Sequence, residues 1–149
     1  MKPYAVNKRA KFDYNILEKF QAGLVLLGHE VKAIKTNKAS LKASFVNFLN
    51  NELWLLNANI APYQPKNTPP DYDSERSRKL LLKKSEIKSL IGKLKQKGLT
   101  LVALKLYNNK GKIKLEFGIG KGRKKHDKRE LIKKRQAKRK MFRVLRGSE

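Results

Sequence analysis

The sequence predicts a mainly β chain with helices: a closed antiparallel β-barrel flanked by short helices over residues 1–120, followed by a basic C-terminal tail over residues 121–149. Three observations point there. Two stretches alternate apolar and polar residues around a tight-turn signal, Asn50-Asn51 in one and Asn108 to Gly111 in the other. Strand signals occur in both halves, separated by helix and loop, without the regular strand–helix alternation of a parallel sheet; closing such a small antiparallel sheet removes its exposed edges. Lys121 to Glu149 then holds 14 Lys and Arg against 3 acids, the pattern of an appendage that reads phosphate rather than of a packed layer.

Taken in order, Phe12 to Leu27 is rich in Tyr, Phe, Ile, Val and Leu. Tyr14, Ile16, Glu18 and Phe20 fall at strand spacing and Gly23 marks a turn, so two short strands are expected. In Gly28 to Ile34 the three-residue spacing of Val31 and Ile34 predicts a short helix that packs both down and leaves Glu30 and Lys32 available to solvent or ligand. Ser44–Leu49 and Glu52–Ala58 form the first hairpin, because Asn tolerates the positive φ its turn needs. Ala61 to Lys79 carries Pro62, Pro65, Pro69 and Pro70 with little periodicity and is expected to be a long irregular loop. Ile87, Leu90, Ile91 and Leu94 follow the i, i+3, i+4, i+7 pattern of a helix ended by Gly98. Thr100 to Leu106 and Ile113 to Ile119 alternate as the second hairpin.

In the tail only Ala137, Met141 and Leu145 line up at helical spacing, while Lys133, Lys134, Arg135, Lys138, Arg139, Lys140 and Arg143 crowd like charges together. Disorder in the free protein, with helix formation on a polyanion, is the expected behaviour.

Composition narrows the function. Of the net charge of +25, the tail supplies +11 and the preceding residues +14, so both parts are expected to touch the same kind of polyanion. With no cysteine, thiol catalysis, disulfides and cysteine zinc sites are excluded. No apolar run approaches a membrane span, no secretory h-region opens the chain, and the tail lacks a clean apolar face for lying on lipid. A soluble cytosolic protein that binds nucleic acid, without cofactor or metal, is the expectation.

The chemistry-bearing constellations each have an ordinary reading. Gly118-Ile119-Gly120-Lys121-Gly122 lacks the spacing and the Gly-Lys-Ser/Thr ending of a phosphate loop and reads as a flexible exit from the last strand. Asp71, Asp73 and Glu75 alternate as in a magnesium site, but Arg76, Arg78 and Lys79 follow at once and neutralise them. His29 and Glu30 are adjacent, so on a helix they point apart, and His29 reads as a surface residue. Trp54 and Tyr107 fall in strands and read as core or half-core. Tyr14, Tyr63 and Tyr72 are the better candidates for stacking on bases.

Six strings in order resemble the small protein B (SmpB) family, the partner of transfer-messenger RNA in bacterial ribosome rescue. Asn7-Lys8-Arg9-Ala10 with Asp13-Tyr14 is similar to the family's opening. Gly28-His29-Glu30-Val31-Lys32 is similar to Gly-Thr-Glu-Val-Lys, Leu41 to Phe45 to Leu-Lys-Asp-Ser-aromatic, and Ile60 to Tyr63 to Ile-x-Pro-Tyr. Arg76 to Leu82 resembles Arg-x-Arg-Lys-Leu-Leu-Leu, and Gly122 to Arg129 resembles Gly-Lys-Lys-x-His-Asp-Lys-Arg. His29, Ala43, Arg123 and Ser74 depart from the usual Thr, acid, Lys and Pro.

The resemblance implies an oligonucleotide-binding (OB-fold-like) barrel and an RNA-binding adaptor with no enzymatic activity. The barrel would hold the tRNA-like domain of transfer-messenger RNA, and the tail would enter the empty messenger channel of a stalled small subunit, on its ribosomal RNA. Elongation factor Tu would be met indirectly through the RNA, and the protein would be a monomer. On this chain the RNA-binding residues would be Asn7, Lys8, Arg9, Tyr14, Glu30, Lys32, Tyr63, Arg76, Arg78 and Lys79. Glu30 would accept hydrogen bonds from base or ribose, and the cations would hold phosphate and sugar. Gly122, Lys124, Asp127, Lys128, Arg129, Lys133, Lys134 and Arg135 would serve the decoding centre and channel, with Asp127 fixing the turn into the helix. A structural ribosomal protein is the alternative reading of the same charge, and a nuclease built on Asp71, Asp73 and Glu75 is a third.

Overall fold

The computed structural model of the chain describes residues 2–147, so Ser148 and Glu149 of the expected tail lie outside the described residues. Its elements run β1 (Ala5–Val6), α1 (Ala10–Asp13), β2 (Tyr14–Leu24), α2 (Gly28–Lys35), β3 (Ala39–Ser40), β4 (Phe45–Leu49), β5 (Glu52–Leu56) and β6 (Asn59–Ile60). A 3-10 turn at Pro65–Asn67 follows, then β7 (Arg78–Leu81), α3 (Lys84–Lys93), β8 (Leu99–Asn109), β9 (Lys112–Gly122) and α4 (Lys125–Gly147). The body is mainly β with helices, as the alternation and turn signals dictate.

The barrel is not closed. Seven strands form one antiparallel sheet in the order β1-β8-β9-β2-β7-β5-β4, and β3 pairs only with β6 in a separate two-stranded ribbon. The sheet curls until β4 lies near β8, yet no ladder joins them. The outer edge of β8 is already engaged by β1, through Ala5 opposite Leu106, and the stretch Thr100–Val102 faces Phe45 of β4 across a pocket of about 580 Å³ instead of across hydrogen bonds. Edge exposure is limited by short edge strands, of two residues in β1 and five in β4, rather than by closure.

Both hairpins form. Asn50 and Asn51 adopt φ of 51° and 62°, the left-handed pair that a two-residue turn needs, and Lys110-Gly111 does the same between β8 and β9. The stretch read as two strands is one strand of 11 residues, β2. The apparent break is a bulge: between Ile16 and Glu18 the register against β9 shifts by one, which exchanges the faces of the strand. Tyr14 and Ile16 therefore pack outside with Ala10, Val102 and Leu104, while Phe20, Ala22 and Leu24 join the main core around Leu53, Leu106, Leu115 and Phe117. A second bulge, between Ala103 and Lys105 of β8, makes the matching exchange.

Gly118 and Gly120 lie inside β9 rather than in a flexible exit. A Cβ on Gly118 would stand 2.8 Å from the Glu18 carbonyl oxygen and 2.9 Å from Ile16 Cγ2, so the absent side chain is what lets Ile16 lie on the sheet. The irregular loop ends at Ser77, because Arg78 and Lys79 belong to β7, and α3 ends at Lys93, ahead of Gly98. The tail leaves β9 at Gly122 and continues as a single helix, the ordered one of its two expected forms.

Candidate nucleic-acid interface

Glu30 is the buried centre of the side-chain network around α2. It sits in the first turn of α2, where its Oε1 accepts the Leu27 backbone N–H at 2.9 Å. Arg78 on β7 meets it from the sheet, with Nε to Oε2 at 3.0 Å and Nη2 to Oε2 at 2.5 Å. Arg76 donates to both carboxylate oxygens, through Nε to Oε2 at 3.1 Å and through Nη2 to Oε1. The Tyr72 hydroxyl donates to Oε2 at 2.9 Å. Both Glu30 and Arg78 are 0% exposed. The remaining donors of Arg78 reach the carbonyls of Ala58 (2.5 Å) and Ser74 (3.0 Å), so the buried charge is paired and satisfied.

Burial alone would raise the Glu30 carboxyl, but hydrogen bonds from Arg76, the Leu27 N–H and Arg78 outweigh it and hold the group at about 2. Burial, followed by the hydrogen bond to the Glu30 carboxylate, pushes the Tyr72 hydroxyl up to about 12. The expectation that Glu30 stays open to solvent is thereby corrected. At that position the helix turns its carboxylate inward, because two arginines from the loop and β7 converge there. Tyr72 is likewise engaged in the network, with the His29 ring edge-on to it at 4.6 Å.

What the network holds in place is the segment between β2 and α2. Leu27 is tied by Glu30, Val25 N–H donates to the Lys79 carbonyl at 3.0 Å, and Arg76 Nη2 reaches the Val25 carbonyl at 3.5 Å. This segment presents Val25 and Leu27, 47% and 45% exposed, near Leu81 of β7, 53% exposed. Leu24, Leu26, Val31, Leu81 and Ile113 line a pocket of about 350 Å³ with Lys112 and Lys114 at its rim. An apolar surface rimmed by cations suits unstacked bases with their phosphates. Sequence reasoning missed Val25, Leu27, Leu81, Lys112 and Lys114. The signal available was the apolar run Leu24 to Leu27, too long for one buried face.

Other expected residues lie elsewhere. Lys32 is exposed on α2. Lys79 pairs with Glu52 at 3.3 Å on the surface. Tyr63 packs against the core, and the Lys38 ammonium both donates to its carbonyl at 3.1 Å and stands 5.6 Å over its ring. Among the described residues no group of three His, Cys, Asp or Glu side chains is placed to hold a metal ion. Asp73 instead accepts the Glu75 backbone N–H at 2.9 Å.

Asn7, Arg9 and Tyr14 gather at the open seam between β4 and β8, with Lys42, Ser44 and Thr100. Asn7 Nδ2 donates to the Ala103 carbonyl at 2.9 Å, and Lys8 lines an adjoining pocket of about 280 Å³ that also holds Lys42. Thr100 and the Lys110-Gly111 turn mark opposite ends of the β8–β9 hairpin, about 30 Å apart at 3.3 Å per residue. The seam and the apolar surface thus occupy opposite ends of the body.

The tail starts at the seam end. Gly122 pairs with Tyr14, and the Lys124 N–H donates to Asp127 Oδ2 at 3.4 Å, so Asp127 sits where an acid favours the start of a helix. Lys128 Nζ lies 3.4 Å from Asp13 Oδ1. Arg129, Lys133, Lys134 and Arg135 are exposed along α4. No helix among the described residues is long and apolar enough to cross a membrane.

Comparison with known proteins identifies the family. The family model described as SmpB protein matches residues 4–147. The SsrA-binding protein of Thermosynechococcus vestitus is 48% identical over 145 residues, covering 97% of this chain and 95% of the relative. That of Acaryochloris marina is 51% identical over 144 residues, covering 96% and 94%. The Thermosipho africanus protein is 50% identical over 142 residues, covering 95% of each. Among solved structures, a chain from "tmRNA-SmpB: a journey to the center of the bacterial ribosome" superposes with a TM-score of 0.65 at 46% identity, covering 80% of this chain and 84% of that one.

Proposed function

The chain belongs to the SmpB family, and from that premise we propose that it binds the tRNA-like domain of transfer-messenger RNA and carries it to stalled ribosomes whose messenger channel is empty. The observation that carries the binding step is the apolar pocket of Leu24, Leu26, Val31, Leu81 and Ile113 that Lys112 and Lys114 also line, with Val25 and Leu27 exposed on the adjoining segment, on a protein of net charge +25. Bases stack on the apolar side chains and phosphates meet the lysines, with Lys32 and Lys79 nearby on the surface. Glu30, Arg76 and Arg78 act beneath this surface, holding the segment that presents it.

The second step belongs to the tail. An occupied messenger channel is filled with RNA, so a helix carrying Arg129, Lys133, Lys134 and Arg135 enters only where that RNA is missing. Vacancy is sensed by charge and shape, and no bond is made or broken by this chain. Asn7, Lys8, Arg9 and Tyr14, at the same end as the tail, contact RNA on the ribosomal side. The protein works as a cytoplasmic monomer and meets elongation factor Tu through the RNA it carries.

Truncation after Lys121 tests the division of labour. Transfer-messenger RNA affinity is expected to stay near that of the full chain while tagging of truncated products is abolished; loss of RNA binding on truncation would overturn the two-part reading.

A further inference from the structure

Gly23, Gly118 and Gly120 lie within paired strands, where glycine lowers stability relative to alanine because it loses more chain freedom on folding and packs nothing. Packing demands it at two of the three. A Cβ on Gly118 would stand 2.8 Å from a backbone oxygen, and one on Gly120 would stand 3.0 Å from Val102 and 3.1 Å from Tyr14. On Gly23 it would meet nothing closer than a Leu81 methyl at 3.4 Å, with the Lys114 ammonium at 3.8 Å, both ordinary contacts. The backbone does not ask for glycine there either: Gly23 lacks the positive φ of Gly98 and Gly111, and β2 holds its register against β9 from Glu18 through Gly23. The fold has room for a side chain at this position.

The space belongs to the pocket of about 350 Å³, which Gly23 lines together with Leu81, Lys112 and Lys114. One row of residues crosses the sheet there. Tyr107 of β8 stands opposite Lys114 of β9, Lys114 opposite Gly23, and Gly23 opposite Leu81 of β7. Tyr107 is engaged, with the Lys105 ammonium 5.5 Å over its ring and its hydroxyl donating to Gln21. The gap in the row is therefore a flat peptide floor with an ammonium on one side and an aliphatic side chain on the other. A nucleic-acid base matches both walls, since its planar face lies on peptide and methyl surface while the neighbouring phosphate meets the lysine.

We propose that Gly23 is the floor of a base-binding subsite: one unstacked RNA base lies flat on the Gly23 backbone between Leu81 and Lys114, with an adjoining phosphate on Lys114. The ligand, not the protein, fills the volume of the missing side chain. This inference rests on the RNA binding proposed above and names the residue whose size limits it. A Cβ lifts the base by about 1.5 Å, one carbon–carbon bond, and a gap of about 0.5–1 Å already removes roughly a quarter to a half of the dispersion contact.

The test separates binding from folding in the full-length protein. In Gly23→Ala the melting temperature is expected to stay level or rise, while affinity for transfer-messenger RNA falls about fivefold or more. Gly23→Val loses more affinity, and neither variant alters the slope of log affinity against log salt, because no charge changes. In the parent protein, the Gly23 Hα resonances are expected to move upfield on binding a fragment of the tRNA-like domain, the signature of a ring stacked over them, while those of Gly92 on α3 stay in place. Unchanged affinity in both variants, a lowered melting temperature in Gly23→Ala, or unshifted Gly23 protons in the complex each overturns the subsite. If the parent protein then still prefers transfer-messenger RNA to an unrelated RNA, the subsite alone falls; if it does not, the proposed RNA binding falls with it.

Discussion

The Glu30 carboxylate and the Arg78 guanidinium meet inside the body at 2.5 Å, each with no exposed surface. One residue comes from a helix and the other from a strand 48 positions later, so the pair ties α2 to β7 beneath the apolar surface. Replacing Glu30 by Ala leaves Arg78 buried and uncompensated, and is expected to lower stability by about 3–5 kcal/mol in urea titration. A loss within experimental error would mean that the arginine finds water on its own.

The same pair predicts an acid limb. Glu30 is held at about 2 against an ordinary 4.5, so its contribution is fully present above about pH 4.5 and is lost as pH falls toward 2. Thermal melts from pH 6 down to pH 2 are expected to show this loss in the parent protein and a flatter profile in that window for Glu30→Gln.

Ala43 stands at φ 61°, the left-handed region, in the turn before β4. Its Cβ costs about 1–2 kcal/mol there, partly offset in Gly by greater freedom of the unfolded chain. Ala43→Gly is therefore expected to stabilise the protein by up to about 1 kcal/mol, read as a raised melting temperature. Gly111→Ala, at φ 80°, moves the opposite way.

Gly118→Ala forces a Cβ against the Glu18 carbonyl and Ile16 and is expected to cost about 1–3 kcal/mol. Native-state amide exchange locates the effect: faster exchange in β2 around Ile16 and Glu18 is predicted, with α3 unchanged.

Lys112 and Lys114 lie at the rim of the apolar surface. If each meets one phosphate, replacing either by Ala lowers the slope of log affinity against log salt by about 0.7–0.9, while Leu81→Ala weakens binding without altering that slope.

The parts of this molecule that obey local rules were legible in the sequence. Asn50-Asn51 announced its hairpin, and the spacing of Ile87, Leu90, Ile91 and Leu94 announced α3, although its last turn stops short of Gly98. The bulge at Ile16/Glu18 was not legible, because an added residue looks like a broken alternation until the partner strand is known. Barrel closure failed for a related reason: it depends on whether two remote edges meet, and β1 already engages the edge of β8. The inward turn of Glu30 depends on Arg76 and Arg78 arriving from more than 40 residues away, which helical periodicity over seven residues does not encode. The charge of the tail was plain, but the contact of Lys128 with Asp13 required the end of β9 to be placed beside α1.

Competition binding at near-physiological salt, with transfer-messenger RNA against an unrelated structured RNA of equal length, measures the central claim most directly. A preference of tens-fold or more for transfer-messenger RNA is the predicted result, since a shaped apolar surface adds recognition to the electrostatic term. Equal affinity would mean that the charge of +25 acts alone, and would contradict the adaptor in favour of a general ribosomal RNA-binding protein.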